Sequence, residues 1–249
     1  MIKFINHASF IVKNKNFNLL IDPWFSGSSF DNGWDLISET KIDDEELKKI
    51  THIWFSHEHP DHFSIKDLKY ICNLNKEIKI LFQETLDKRV INFCKNLGFT
   101  VIEVKNYQKY FFDKISYIQI IKCGFLDSFA IIKDNDHFIV NMNDCVPHEE
   151  LYKIKKIINE INVDVLFTQF SYADWNGNSK QRDLRKKAVE KKFQQIKHQI
   201  NFFNPKYIVP FASYIFFSNK ENFFMNDEIP KISLIEKMIN KNFSSTSPV

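Results

Sequence analysis

Short, mostly apolar runs separated by polar turns dominate the first part of the chain. Three β-rich runs of this kind occupy residues 2–5, 8–12 and 18–22. The polar residues 13–16 predict a turn between the second and third run. A fourth run, residues 52–56, ends where a group of histidines begins. We therefore predict four short strands here and expect the last to be buried.

The rest of the chain alternates between helical and strand patterns. The apolar spacing predicts helices over residues 43–50, 64–73, 86–97, 149–161, 179–203 and 231–241. It predicts strands over residues 78–82, 99–104, 110–112, 115–122, 128–133, 137–142, 163–168 and 207–211. Asp134, Asn135 and Asp136 separate two of these strands, and this composition predicts a hairpin turn.

This order of elements predicts an α/β fold. Strands occur with hairpins in both halves and helices interleave with them, which favours two mixed β-sheets packed together with helices outside. The sequence contains neither a linker nor a repeat. We therefore predict one domain over residues 1–243 and a disordered tail over residues 244–249.

Composition and charge narrow the classes of partner. The net charge is only +3, and the basic residues are spread along the chain apart from residues 182–192, so nucleic acid is not an expected partner. No run approaches ~20 apolar residues, which predicts that no segment spans a membrane. The opening residues lack a signal-peptide pattern and the four cysteines form no Cys-x-x-Cys pair, so we expect a cytoplasmic protein with reduced thiols.

The stretch Ser-His-Glu-His-Pro-Asp-His-Phe, residues 56–63, contains the highest density of potential metal ligands in the sequence. Imidazole and carboxylate groups bind zinc and iron, so the residue types predict a metal site rather than a polar surface loop. His57 and His59 alternate just past the predicted buried strand and can point the same way. Asp61 and His62 follow in a tight turn and can reach an adjacent position. One loop can thus serve two ions ~3.5–4 Å apart.

The His-x-His-x-Asp-His order after a strand resembles the signature of the metallo-β-lactamase superfamily. Residues 6–12 and 19–24 resemble the opening hairpin of that fold, in which Asp22 ends a strand. Residues 140–145 resemble the later strand whose Asp, here Asp144, bridges two metals. The resemblance implies a four-layer αβ/βα sandwich of two mixed β-sheets flanked by helices, with the metal site at the edge between the sheets.

Four stretches also resemble the metallo-β-lactamase-like part of the CMP-N-acetylneuraminate hydroxylase family. They are residues 22–34, 55–64, 141–145 and 208–219. That family also carries a Rieske iron–sulfur domain, but this sequence contains no Cys-x-His and Cys-x-x-His pair. An oxygenase of this kind would therefore need a separate electron donor.

Two positions depart from the superfamily pattern. A His is expected before the bridging Asp, and Cys123 stands at about that place, either as a thiolate ligand or as a small buried apolar residue. Asp127 is a second candidate there, or an acid that orients a ligand. Phe211 stands where the last superfamily His is expected. We interpret His7 as structural and His148 as a helix-capping or surface residue rather than as ligands.

The resemblance implies the following ligand set. His57, His59 and Cys123 would hold a first ion, and Asp61, His62 and the bridging Asp144 would surround a second. One or two divalent ions are therefore expected, with zinc, iron and manganese all compatible with the donors. In a one-ion site, Asp61 would instead be the catalytic base, because the resemblance places it beside the metal-bound water.

Two loops are the predicted substrate-facing segments. Aromatic and polar side chains on residues 22–34 and 169–183 suit a sugar or nucleotide, although the aromatics serve equally well to pack the loops onto the body. The candidate contacts in these loops are Trp24, Trp34, Tyr172, Trp175 and Arg182. Arg182 can meet a phosphate or belong to the basic outer face of a helix.

These features lead to three functional hypotheses. The first is a metal-dependent hydrolase, in which metal-activated water attacks a phosphorylated sugar, a sugar nucleotide or a related ester. The second is an iron-dependent oxygenase that hydroxylates a sugar nucleotide. The third is a non-catalytic protein with a relic of the metal site. The Phe-rich residues 214–227 fit either a cover over the pocket or the face of a homo-oligomer.

Overall fold

The computed structural model describes residues 1–146, 149–243 and 246–248. Its strands are β1 (Ile2–Asn6), β2 (Ser9–Lys13), β3 (Asn18–Ile21), β4 (Trp34–Leu36), β5 (His52–Trp54), β6 (Lys79–Gln83), β7 (Thr100–Val104), β8 (Lys109–Phe111), β9 (Tyr117–Cys123), β10 (Asp127–Asp134), β11 (His137–Asn141), β12 (Val163–Gln169), β13 (Tyr207–Phe211), β14 (Ile215–Phe217) and β15 (Ser247–Pro248). The α-helices are α1 (Asp44–Leu47), α2 (Ile65–Leu74), α3 (Arg89–Asn96), α4 (Glu149–Asn159), α5 (Arg182–Phe203) and α6 (Ile232–Asn242). A 3₁₀-helix spans Phe223–Glu228.

The first main sheet has the order β1-β2-β3-β5-β6-β7. Strands β1 to β3 form antiparallel hairpins, whereas β3, β5, β6 and β7 run parallel. Parallel neighbours need crossover connections, and α1, α2 and α3 lie in those connections. The histidine stretch therefore follows the carboxyl end of a central parallel strand, β5.

The second main sheet has the order β15-β13-β12-β11-β10-β9-β8. Its antiparallel part contains the predicted hairpin, in which Asp134 pairs with His137 across the turn. Asn135 adopts a positive φ of 54° there, a conformation that Asn tolerates better than most residues. From β11 to β13 the strands run parallel, so the carboxyl ends of β11, β12 and β13 share one edge.

The two sheets pack face to face with helices on both outer sides. Along β3, Leu19 and Ile21 enter the core between the sheets, while Leu20 packs with the helices of the first half. Along β10, Ile132 faces the inner core and Ile131 packs against α4, α5 and α6. Each such buried side chain contributes about 1.5–3 kcal/mol to the free energy of unfolding. The expected four-layer sandwich is confirmed.

A small two-stranded sheet, β4 with β14, lies outside the predicted scheme. The expectation that residues 22–34 form only a loop is wrong at its end, because Trp34 begins β4 and pairs with Phe217. This sheet closes a separate apolar cluster, which joins the two predicted loops to the Phe-rich segment. The buried members of the cluster are Trp24, Trp34, Tyr172, Ile215, Phe217 and Met225.

The end of the chain contacts the second sheet. Ser247 and Pro248 pair in parallel with Tyr207 and Ile208 on β13, and Thr246 is buried. Residues 244, 245 and 249 of the predicted tail lie outside the described residues, and the domain boundary at 243 stays a prediction. Within the described residues, no helix combines the length and apolarity needed to cross a bilayer.

Candidate metal centre

The histidine stretch is a tight turn between β5 and α2. The backbone amides of His62 and Phe63 both donate to the His59 carbonyl, at 2.9 and 2.7 Å. Ser64 then caps α2, since its hydroxyl accepts from the Asp67 amide at 3.3 Å. The turn is thus fixed at both ends, which holds its side chains at the edge where the two sheets meet.

Asp22 orients one of these histidines from the neighbouring strand. It follows β3 with a φ of 41°, and its buried carboxylate accepts from the Ser56 amide at 2.8 Å and the Ser56 hydroxyl at 2.7 Å. The same carboxylate lies 2.9 Å from His62 Nδ1, which leaves Nε2 of that ring available to a metal. Such outer partners fix the ring orientation of metal-binding histidines. Burial raises the pKa of Asp22, although His62 and Ser56 oppose that shift.

Two groups of side chains have ligand atoms that all lie within 4.8 Å of one another. The first, which we call the open group, consists of His57, His59 and Asp144. His57 Nε2 lies 2.9 Å from His59 Nδ1, and His57 Nδ1 lies 2.9 Å from the Ser56 hydroxyl. Burial, with a smaller contribution from the charge of His62, lowers the pKa of His57 to about 3. A neutral imidazole is the form that binds a metal.

The second group, which we call the buried group, consists of His7, Asp61 and His62. His7 lies in the turn between β1 and β2 with a φ of 26°, and its Nε2 is 3.2 Å from Asp61 Oδ2. Its ring packs edge-on against Trp24, at 5.5 Å between centroids. The sequence interpretation of His7 as structural did not anticipate this position. The backbone of the turn is held from the other half, because the Ala212 amide donates to the His7 carbonyl at 2.8 Å.

Asp144 lies between the two groups. Its Oδ1 is 3.5 Å from His62 Nε2, and Asp61 Oδ2 is 3.4 Å from the same nitrogen. Burial disfavours protonation of His62, but the two carboxylates outweigh it and raise the pKa of this ring well above its usual range. Burial disfavours ionisation of Asp61 and Asp144, yet the charge of His62 keeps the pKa of both carboxyls low.

The residues present fit a metal centre. His7 Nδ1, Asp61 Oδ1, His62 Nε2 and Asp144 Oδ1 are buried and have no hydrogen-bond partner among the described residues. Burying such atoms unpaired costs several kcal/mol in total, because each costs about 1–3 kcal/mol. Metal coordination removes that cost for atoms that can act as ligands. Imidazole nitrogens and carboxylate oxygens in this mixture suit zinc, iron or manganese.

Cys123 and Phe211 lie outside the open group and the buried group. Cys123 ends β9 directly opposite Asp127 on β10, but its side chain joins the core beneath α4 and α5, together with Cys145. Among the described residues, neither ligand group includes Cys123, so its ligand role stays a prediction. Phe211 is fully buried and packs edge-on against Phe167, at 5.2 Å between centroids.

A pocket of about 630 Å³ opens over the open group. His59, Asp61 and Asp144 line its floor, and Trp34 and Trp175 line its walls. Trp34 is nearly buried, whereas Trp175 is 66% exposed, so only the second offers a broad ring surface to a ligand. A larger groove of about 840 Å³ lies between α1 and α2, but its lining includes none of the histidines.

The other predicted substrate contacts are placed differently. Tyr172 lines the pocket, but its hydroxyl is used to donate to the Met225 carbonyl. Trp24 is buried behind His7 and does not line the pocket. Arg182 also lies outside it, in an exposed ion pair with Glu228. Of the predicted contacts, the structure thus brings Trp34, Tyr172 and Trp175 to the pocket.

Sequence reasoning singled out neither Gln169 nor Lys192, which are among the polar residues that line the pocket. Gln169 ends β12 and accepts a hydrogen bond from the Lys192 ammonium on α5. Burial lowers the pKa of Lys192, and the nearby Asp144 and Asp174 carboxylates oppose that shift. The position of Gln169 at a strand end was a usable signal, but Lys192 was hidden within the basic run of its helix. His148 lies outside the described residues.

The Phe-rich segment contributes to the same pocket. Phe217, Asn222 and Met225 line it, in keeping with the expectation of a cover. The alternative, a homo-oligomer face, stays a prediction.

Comparison of the sequence with curated proteins returns cytidine monophosphate-N-acetylneuraminic acid hydroxylases. The Danio rerio protein is 25% identical over 244 residues, which cover 85% of this chain and 37% of that protein. The Cricetulus griseus protein is 26% identical over 261 residues, covering 95% of this chain and 45% of that protein. The chain therefore spans less than half the length of these relatives.

Solved structures with the same fold include both hydroxylases and hydrolases. CmlA, a diiron β-hydroxylase from Streptomyces venezuelae, has a TM-score of 0.69 at 13% identity over 100% of this chain and 52% of its own. Igni18, a metallo hydrolase from Ignicoccus hospitalis, has a TM-score of 0.68 at 13% identity over 100% of this chain and 93% of its own. A "possible metal-dependent hydrolase" from Veillonella parvula has a TM-score of 0.71 at 15% identity over 98% of this chain and 94% of its own.

The family model described as "Beta-lactamase superfamily domain" matches residues 1–168. This span contains both sheets' antiparallel hairpins, the histidine turn and Asp144, and the whole chain has the fold of the structures above. The chain belongs to the metallo-β-lactamase superfamily.

Proposed function

We propose that this protein is a metal-dependent hydrolase whose centre consists of the open group and the buried group. One observation carries the proposal: two groups of three side chains, each able to hold a metal ion, lie at a pocket of about 630 Å³, and Asp144 of the open group is 3.5 Å from His62 of the buried group. Paired sites of this kind suit reactions that need an activated water and a stabilised oxygen on the substrate.

The chain's own residues contribute orientation and charge. When bound, the metal would act as a Lewis acid and lower the pKa of a coordinated water toward ~7. Asp22 holds the His62 ring at Nδ1, and His7 holds Asp61 at Oδ2. Because these partners are buried, the ligand atoms need little reorganisation when a metal or substrate binds.

Asp61 has two alternative roles that depend on the number of ions. With two ions, it is a ligand of the buried group. With one ion held by the open group, Asp61 lines the pocket floor as a free carboxylate and serves as the general base. His7 then positions that base through the contact between Nε2 and Oδ2. The metal stoichiometry of the purified protein distinguishes the two roles.

The proposed substrate is a small molecule: a phosphorylated sugar, a sugar nucleotide or a related ester. The exposed ring of Trp175 suits stacking on a sugar or base, and Gln169 and Asn176 offer hydrogen-bonding groups in the same pocket. These contacts support a ring-containing polar substrate and favour no single member of the class.

A second candidate is an iron-dependent oxygenase that hydroxylates a sugar nucleotide. The observation that favours it is the similarity to cytidine monophosphate-N-acetylneuraminic acid hydroxylases over 85–95% of the chain. The two histidine-rich groups are compatible with iron as well as zinc. Residues 1–249 contain no Rieske-type ligand pair, so in this candidate the electrons come from a donor outside these residues.

Metal analysis of protein purified without added metal tests both candidates. Zinc, together with hydrolysis of generic phosphodiester or ester substrates, supports the hydrolase. Two irons with an oxo-bridge absorption band support the oxygenase instead. A double variant, His57→Ala with His62→Ala, is the matched control and is expected to lose both metal and activity. Occupancy below about one-tenth that persists after reconstitution contradicts both candidates and supports the non-catalytic relic.

A further inference from the structure

Lys192 is a charged residue that lines the pocket but belongs to neither ligand group. It lies on α5, is partly buried, and lines the same pocket as His59 and Asp144. Its ammonium donates to the side-chain carbonyl of Gln169, at the end of β12. Because the Gln169 side chain is neutral, this hydrogen bond holds the Lys192 ammonium at the pocket but does not compensate its positive charge.

Among the side chains that the structure describes, which leave out those of residues 147–150, 244, 245 and 249, no carboxylate oxygen pairs with the Lys192 ammonium within 4.0 Å. Asp144 and Asp174 are near enough to affect its protonation, and both line the pocket. Asp144, however, belongs to the open group, so a bound cation would take up its charge. A desolvated ammonium is costly unless an anion or several dipoles compensate it. The loaded pocket therefore has a place for an anionic group next to the metal centre.

We propose that Lys192 binds an anionic group of the substrate, a phosphate or a carboxylate, and so determines the substrate class. This inference rests on the proposed function, because it places the anion between Lys192 and the loaded centre. Lys191 also lines the pocket and adds positive charge at its rim. The exposed Trp175 ring lies in the same pocket and is available to the uncharged part of the substrate.

Calorimetric titration of the metal-loaded protein with inorganic phosphate, and separately with acetate, tests the proposal. Lys192→Gln is expected to weaken binding of the preferred anion by about 10- to 100-fold, the range for loss of one charge-assisted hydrogen bond. Lys192→Arg keeps the charge and is expected to retain binding within about threefold. Lys187→Gln makes the same charge change at an exposed position on the same helix, outside the pocket, and should bind like the wild type.

Comparison of the phosphate titration with the acetate titration identifies the anion. Tighter binding of phosphate than of acetate assigns a phosphate group to the substrate, and the reverse assigns a carboxylate. Equal affinity of wild type and Lys192→Gln overturns the proposal, as does the absence of binding of either anion by the wild type at about 10 mM. Circular dichroism of each variant ensures that a folding defect is not mistaken for lost binding, and Lys192→Met, which also removes the charge, repeats the test if Lys192→Gln does not fold.

Metal content measured on the same samples separates this proposal from the previous one. Full occupancy with no effect of Lys192→Gln overturns the anion site and leaves the metal centre standing. Negligible occupancy with a persistent effect of Lys192→Gln contradicts the metallohydrolase but retains Lys192 as an anion-binding residue.

Discussion

The open group and the buried group use the same kinds of side chain in different surroundings. His7, Asp61 and His62 are all buried, whereas in the open group His59 is exposed and Asp144 is partly exposed. The buried group is also supported from behind by packing and hydrogen bonds to neighbouring strands. His59 and Asp144 of the open group line the pocket, and Asp61 is the one member of the buried group that does, so a substrate meets mainly the open group.

The difference shows how a single turn can serve two purposes. His57 and His59 come shortly after β5 and belong to the open group with Asp144, whereas Asp61 contacts His7 and His62 contacts Asp22. Retention of a metal depends on rigid, desolvated ligands, whereas catalysis needs an accessible position. We therefore expect the buried group to hold an ion more tightly than the open group does.

Removing Asp144 should have the largest effect, because its carboxylate is in reach of both groups. We expect Asp144→Ala to lower the affinity for metal at both positions by more than about 100-fold. Competition with a chelator, followed by elemental analysis, measures this change. Asp136→Asn, on the exposed turn between β10 and β11, is the control and should have wild-type metal content. Loss of only one ion in Asp144→Ala would contradict a shared role.

Single substitutions in each group separate the two positions. We expect His59→Gln to release the ion of the open group and His7→Gln to release that of the buried group, each with about a 10- to 100-fold loss of affinity at its own position. Metal titration of both variants gives the stoichiometry and the order of loss. Wild-type metal content in His7→Gln would show that His7 is structural, as the sequence interpretation held.

The support behind the buried group can be tested at Asp22. We expect Asp22→Asn to lower metal affinity by about 10-fold or more, because His62 loses the partner that orients its ring. Asp67→Asn is a matched control: Asp67 is also buried and accepts from Ser64 and the Phe25 amide, but it lies at the start of α2. It should cost about 1–3 kcal/mol of unfolding free energy and leave metal affinity unchanged, as chelator competition and urea unfolding can establish.

His52, at the opposite end of β5, provides a buried histidine without a carboxylate partner among the described residues. Burial, with a smaller contribution from Lys79, lowers its pKa from 6.5 to about 4, so between these values the unfolded chain binds a proton that the folded chain does not. The free energy of unfolding therefore falls as the pH falls from 6.5 to 4. We expect His52→Gln to remove about 1–2 kcal/mol of this pH dependence, after allowance for screening by solvent.

Urea unfolding at several pH values measures that change. Parallel curves for the wild type and His52→Gln would contradict the assignment and would attribute acid sensitivity to the two ligand groups instead.

Cys123→Ala should have the smallest effect on the centre. The structure places Cys123 in the core with Cys145, so we expect unchanged metal content and a loss of about 1 kcal/mol or more of unfolding free energy from the cavity. Elemental analysis of the variant decides the matter. A clear loss of metal would restore Cys123 as a ligand and change the composition of the open group.

Much of the fold was predictable because its signals are local. Apolar periodicity and turn residues depend on neighbours along the chain, and they placed every long strand and helix within a few residues. Unlike the equally short β5 and β8, the strands β4 and β14 escaped prediction. Their pairing depends on partners far apart in the sequence, Trp34 with Phe217 and Leu36 with Ile215.

The sequence by itself determined the turn that carries His57, His59, Asp61 and His62, because these residues are close in the chain and follow a recognisable strand. The tertiary structure decided which distant residues complete the arrangement. His7 reaches the buried group because the β1–β2 turn lies at the same edge of the first sheet as the carboxyl ends of β3 and β5, whereas the side chain of Cys123, at the end of β9, lies in the core. Which distant side chains meet depends on the direction that each one takes after the sheets and helices pack. The spacing of residues along a single sequence does not contain that information.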